Sequence, residues 1–198
     1  MPRSRPIAVR SQNSYFADIY DSSRQLDRLI ENLLHLCRSE ENNIELDLQT
    51  VNLELLVDKA VQSVSEEASD RNITIEQSRE ALSDILIDAQ WMELILHNLV
   101  SNAVAHCPDN ARVSIAINHQ GNYCSLDISN PLAVALNQKD LAMIFKRFWR
   151  KDVARETGRH AGIGLSLVRS FVDLMNLEVN AEIVQDRFHI QLSQIQLT

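Results

Sequence analysis

The sequence predicts an α+β fold, a two-layer α/β sandwich in which helices pack on one face of a mixed, mostly antiparallel sheet, preceded by a long amphipathic helix. Three observations carry this expectation. Short alternating segments interleave with helical periodicities rather than with one another. Residues 113–118 with 123–129, and 178–184 with 187–192, are separated by turn-length gaps and read as hairpins. Finally, 198 residues with 45% hydrophobic content suffice for one core plus an appendage.

Residues 1–17 carry Arg3, Arg5 and Arg10 and no acid, and read as a tail. From Arg24 to Arg38, Leu26, Leu29, Ile30, Leu33, Leu34 and Cys37 form the stripe of an amphipathic helix, with Leu36 off it. No similar helix lies nearby, so the stripe needs a partner elsewhere. The polar run Ser39-Glu-Glu-Asn-Asn43 marks a boundary, dividing a helical segment (18–43) from a domain spanning 44–198. Leu46–Val51 alternates as a strand, and Leu53–Ala68 reads as one helix with its apolar face at Leu56, Val57, Ala60, Val61 and Val64. Two short strands are expected at Ile73–Glu76 and Ile85–Asp88, then a helix from Gln90 to about His106. A hairpin turns around His119-Gln-Gly-Asn122. Pro131 to about Ala161 has mixed character, Leu165–Met175 is a helix opening after Gly162-Ile-Gly164, and a last hairpin closes the chain.

Charge and composition exclude several classes. With 19 basic and 27 acidic residues the net charge is −8, which argues against nucleic-acid binding and against an anionic membrane surface. No apolar run reaches the 18 or so residues of a membrane span. Cys37, Cys107 and Cys124 are odd in number and lack CxxC spacing, as expected of buried thiols in a reducing compartment without a structural metal.

Three features point to chemistry. Asn98 and Asn102 stand one turn apart on one helix face, although asparagine costs roughly half a kcal/mol against alanine in a helix. An amide oxygen is a hard neutral ligand suited to Mg²⁺. Three of the four glycines, Gly158, Gly162 and Gly164, fall within seven residues at the start of an apolar helix, where free N–H groups favour phosphate. Between these elements, residues 146–159 carry six basic and two acidic side chains, a local +4 that leaves −12 on the rest. Phe145, Phe148 and Trp149 interleave with those charges and are expected to anchor the loop. A cationic loop beside a glycine turn suits a polyphosphate that the anionic body would otherwise repel.

The order of these elements resembles the catalytic, ATP-binding domain of sensor histidine kinases. WMELILHNLVSNAVAHC is similar to the family's N box, IFKRFWRKDVAR to its F box and the arginines beyond, and GIGLSLVRSFVDLM to its second glycine box. LDRLIENLLHLCRSE resembles the second helix of the dimerisation and phosphotransfer domain. The resemblance implies ATP and Mg²⁺, with Asn102 as the metal ligand. Asn98 stands where related ATPases place a water-activating glutamate. An amide there cannot take a proton, so transfer to a protein acceptor is favoured over hydrolysis. The resemblance also places His106 beside the adenine and Arg150 and Arg155 on the phosphates. Phe145 and Phe148 belong to the F box, and Gly162, Gly164 and Leu165 to the closing glycine turn. It further implies a response-regulator partner, a homodimer in the full-length protein, and a cytoplasmic location.

Two departures stand out. The family's first glycine box, Asp followed by GxG, is here Leu126-Asp-Ile-Ser-Asn130-Pro-Leu-Ala. By strand parity Asn130 replaces the adenine-reading Asp, and Asp127 points to the opposite face. The lost charge assistance costs about 1 kcal/mol, so Asn130→Asp is expected to tighten adenine binding. No histidine of the chain has the acceptor context of His-Glu-Leu-Arg, so this chain alone is not expected to autophosphorylate. The altered box leaves a second reading open, a non-catalytic binding module on the same fold. A stand-alone serine kinase or ATPase would need a carboxylate near Asn98, and Glu93 lies round the helix.

Overall fold

The computed structural model describes residues 45–79, 84–151 and 162–198. The expected helix at 24–38 and the lid arginine Arg155 lie outside these residues. In chain order the elements are β1 (Leu48–Val51), α1 (Leu53–Ser63), α2 (Ser65–Asp70), β2 (Thr74–Arg79), β3 (Ile85–Asp88) and α3 (Ala89–His106). There follow β4 (Arg112–Gln120), β5 (Tyr123–Pro131), α4 (Gln138–Leu141), α5 (Gly164–Leu174), β6 (Glu178–Val184) and β7 (Arg187–Gln196).

The main sheet has the order β2-β4-β5-β7-β6. Only β2 and β4 run parallel, because the chain between them crosses over through α3. The other three pairings are antiparallel. Each hairpin turns on two residues. At Gly121-Asn122 the glycine takes φ +64°, and at Gln185-Asp186 both residues take positive φ, as a type I′ turn demands.

One sheet face carries the core. Along β5, Cys124, Leu126, Ile128 and Asn130 are buried while the intervening residues are half-buried. Val113, Ile115 and Ile117 of β4 share that face, and α1, α3 and α5 cover it with Leu53, Met92, Ile95, Leu96, Leu167 and Phe171. The rings of Trp91 and Phe171 meet at 4.7 Å and tie α3 to α5.

Several expectations shift. β1 pairs with β3 in a separate two-stranded sheet instead of joining a single one. The helix expected over 53–68 breaks at Val64 (φ −111°, ψ 4°). Ser63 Oγ donates to the Ala60 carbonyl and Ser65 Oγ to that of Gln62, local bonds that compete with helix propagation. The strand expected at 73–76 runs on to Arg79, where the guanidinium pairs with Asp58 and Glu54 of α1. β5 and β7 are longer than their alternation suggests, and β5 takes in both Asn130 and Pro131.

Candidate functional site

A cavity of about 300 Å³ opens between α3, the sheet and the segments that flank α5. That volume lies at the low end of small-molecule sites. Asn102 and His106 contribute from α3, Asn130 and Ile190 from the sheet, and Trp149, Arg150 and Lys151 from the loop. Gly162, Gly164 and Leu165 close it at the mouth of α5.

α3 is fixed at both ends. Asp88 caps its start, accepting from the Gln90 and Trp91 amides at 3.0 and 3.3 Å. At its end Arg71 donates to the carbonyls of Val104 (2.8 Å), Ala105 (3.3 Å) and Cys107, at the terminus where helix carbonyls lack intrahelical partners. The His106 carbonyl accepts from the Ala133 amide at 3.0 Å, which fastens the strap after β5 to the helix terminus. The Asn102 side chain, half-buried on the cavity wall, makes no hydrogen bond to any described residue. An amide left open in this way fits a hard oxygen-seeking cation such as Mg²⁺.

Asn98 sits differently. Its Nδ2 donates to the Leu94 carbonyl at 2.8 Å, and its Oδ1 lies 2.8 Å from where a Cβ on Gly164 would stand. Glycine at 164 thus lets α3 and α5 approach. Gly162 has φ +70°, and a Cβ there would meet the Trp149 carbonyl oxygen at 2.8 Å. Its own carbonyl accepts from the Phe148 amide at 2.8 Å, joining the aromatic loop to the entry of α5. Ile163 occupies the N-cap of α5 and, being apolar, gives that helix no side-chain cap among the described residues. Its first N–H groups suit an anion, beside Arg150.

Asn130 is 1% exposed. Its Nδ2 donates to the Pro131 carbonyl at 2.9 Å, and its Oδ1 accepts nothing among the described residues. The amide oxygen is thereby left as an open acceptor on a residue that lines the cavity. Asp127 lies on the opposite face, accepting from Asn118 and Gln191 at 2.8 Å each.

Of the expected site residues, Asn102, His106, Asn130, Arg150, Gly162, Gly164 and Leu165 converge on the cavity. Asn98 underlies Gly164 without lining it, and Phe145 packs against the core. Phe148 departs from expectation: the residue is 65% exposed, and its backbone, at φ +62° and bonded to the Gly162 carbonyl, does the anchoring. Lys151 and the strap residues Leu132, Ala133, Val134 and Leu136 also line the cavity, though no spacing in the sequence singles them out. Phe188 and Ile190 were recoverable from β7 parity, whereas the strap has no periodicity to read.

Comparison with known proteins gives concordant findings. Residues 87–194 match the family described as histidine kinase-, DNA gyrase B- and HSP90-like ATPase. The sensor protein CzcS of Cupriavidus metallidurans is 29% identical over 159 residues, 80% of this chain and 33% of that protein. The sensor histidine kinase HprS of Escherichia coli is 29% identical over 172 residues, 86% of this chain and 37% of that one. The chain thus spans about a third of the length of these relatives. Among solved structures, full-length ShkA in complex with AMPPNP superposes with a TM-score of 0.80 at 22% identity, covering 98% of this chain and 41% of that one. The same fold recurs in the histidine kinase ThkA in complex with the response regulator TrrA (TM-score 0.74, 16% identity, 96% of this chain and 53% of that one).

Proposed function

This chain belongs to the family of histidine kinase-, DNA gyrase B- and HSP90-like ATPases, and from that membership we propose that it is the ATP-binding kinase core of a two-component sensor histidine kinase. The observation that carries the reading is one cavity bringing together an open amide on α3, a buried acceptor at Asn130 and an uncapped helix start beside Arg150. These suit a metal, an aminopurine and a polyphosphate in turn.

The Asn130 oxygen accepts from the exocyclic amino group of adenine, and His106 lies at the same end of α3. Arg150 and the amides at the start of α5 hold the phosphates. Asn102 would hold Mg²⁺, which would neutralise phosphate charge when bound. Asn98 has no basic group with which to activate water, and this favours transfer to a protein over hydrolysis. The γ-phosphoryl acceptor is a histidine on another helix, since none of the histidines here has the acceptor context, and the phosphoryl then passes to an Asp of a response regulator. Residues 18–43 serve a homodimer in the full-length protein, with 44–198 as the catalytic domain. No helix among the described residues is long and apolar enough to cross a membrane, and the core acts on the cytoplasmic side.

Thermal melts with ATP or ADP, with and without Mg²⁺, test the reading. The chain is expected to gain stability in a Mg²⁺-dependent manner, and Asn102→Ala to lose that dependence while melting normally without nucleotide. A chain that shows no nucleotide-dependent shift would instead be a binding module on this fold.

A further inference from the structure

Lys151 lines the cavity next to Arg150 and the two glycines, yet its Nζ is bonded to Asp140 Oδ2. Asp140 is not free to follow it. The same Oδ2 accepts the Asn137 amide at 2.8 Å, while Asn137 Oδ1 accepts from the amides of Lys139 and Asp140, closing a capping box at the start of α4. The Lys151 hydrogen bond, with help from the Asn137 amide, holds the Asp140 carboxyl below the usual carboxylate range. Asp140 is therefore charged at neutral pH. One member of the pair is pinned by backbone, and the other is an ammonium on a flexible four-carbon stem.

We propose that Lys151 is a polyphosphate-binding residue held in reserve by Asp140, so that this pair sets how tightly the site grips its triphosphate. The proposal rests on the nucleotide reading above. A triphosphate entering the cavity with its magnesium still presents about two net negative charges against the single charge of Asp140, and at comparable distance the Coulomb attraction for the ammonium is larger. Rotation about the lysine stem suffices for the exchange, and Asp140 keeps the Asn137 amide as a donor afterwards. An arginine at 151 would be held to the carboxylate by a planar fork and would exchange less readily. On a chain of net charge −8, withholding one cation from the cavity mouth weakens the attraction for any polyanion.

Calorimetric titration of the full 198-residue chain with ATP·Mg²⁺ and with adenosine tests this. Lys151→Met is expected to weaken ATP about three- to tenfold, as loss of one partly exposed charge pair does, and to leave adenosine unchanged. Asp140→Asn retains an acceptor for the Asn137 amide and so keeps the capping box. It is expected to tighten ATP about threefold, and to have no effect when Lys151→Met is already present. ATP affinity unaltered in Lys151→Met overturns the proposal. So does a gain from Asp140→Asn that survives in the double variant, since Asp140 would then act as a diffuse charge. If the unmodified chain binds no ATP, the nucleotide reading itself falls and this proposal falls with it.

Discussion

At the scale of single residues, Asn130 decides the most. A carboxylate in its place would keep an acceptor toward the cavity, which is why the sequence alone expects Asn130→Asp to tighten adenine binding. The Pro131 carbonyl changes that expectation. It takes the Nδ2 proton at 2.9 Å, so the substitution sets two oxygens against each other at a site only 1% exposed. Asn130→Asp should therefore cost the nucleotide-free chain about 1–3 kcal/mol at neutral pH and bring no gain in ATP affinity there. The introduced carboxyl can donate to Pro131 only when protonated, so its folded-state pKa is raised. The stability it permits is present in acid and disappears as pH rises through that value. Melts of the variant and parent at pH 5 and pH 8 check this, and a difference that does not grow with pH would show that the amide is not held by Pro131. Parity along β5 put Asn130 and Asp127 on opposite faces correctly. The Pro131 bond could not be read, because it depends on a rotamer that no spacing encodes.

Among the elements, α3 is the organising one, and it depends on a residue far away in sequence. Arg71, at the end of α2, donates to three carbonyls at the C-terminus of α3 and its cap and pairs with Asp109 at 2.8 Å. Arg71→Met removes charged hydrogen bonds worth about 1.5–3 kcal/mol each in favourable settings. An overall loss of about 2–3 kcal/mol is expected, since Arg71 is partly hydrated and water replaces some of its bonds. Denaturant unfolding measures the loss, and a change below half a kcal/mol would mean that solvent caps the helix equally well. Element types were legible from periodicity, and α3, α5 and both hairpins fall within a few residues of expectation. The break at Val64 and the separation of β1–β3 from the main sheet were not. The first depends on serine side chains choosing backbone partners, the second on tertiary pairing between segments more than thirty residues apart.

For the whole molecule, burial governs how the described thiols behave. Cys107 and Cys124 both lie in the core, and desolvation raises the first and pushes the second up to about 11. Neither should react with iodoacetamide at pH 8 until the chain is unfolded, which peptide mass spectrometry resolves; modification of either in the native state would contradict the packing. Because an unfolded Cys124 ionises near 9.0, stability should also decline as pH climbs from there toward 11. The sequence made the family's layout legible, through three ordered boxes, better than it made the cavity's walls legible. The walls come partly from an aperiodic strap and from one lysine that a charge count cannot tell from its neighbours. One contact binds the scales together. The Asp88 carboxylate that starts α3 also accepts the Asp47 amide at 3.0 Å through its other oxygen. The doorway at residue 47 and the root of the helix bearing Asn98 and Asn102 are therefore tied twice, by this carboxylate and by the β1–β3 ladder that ends at Asp88. A tug on residue 47 is passed straight to that root, with no intervening layer to absorb it.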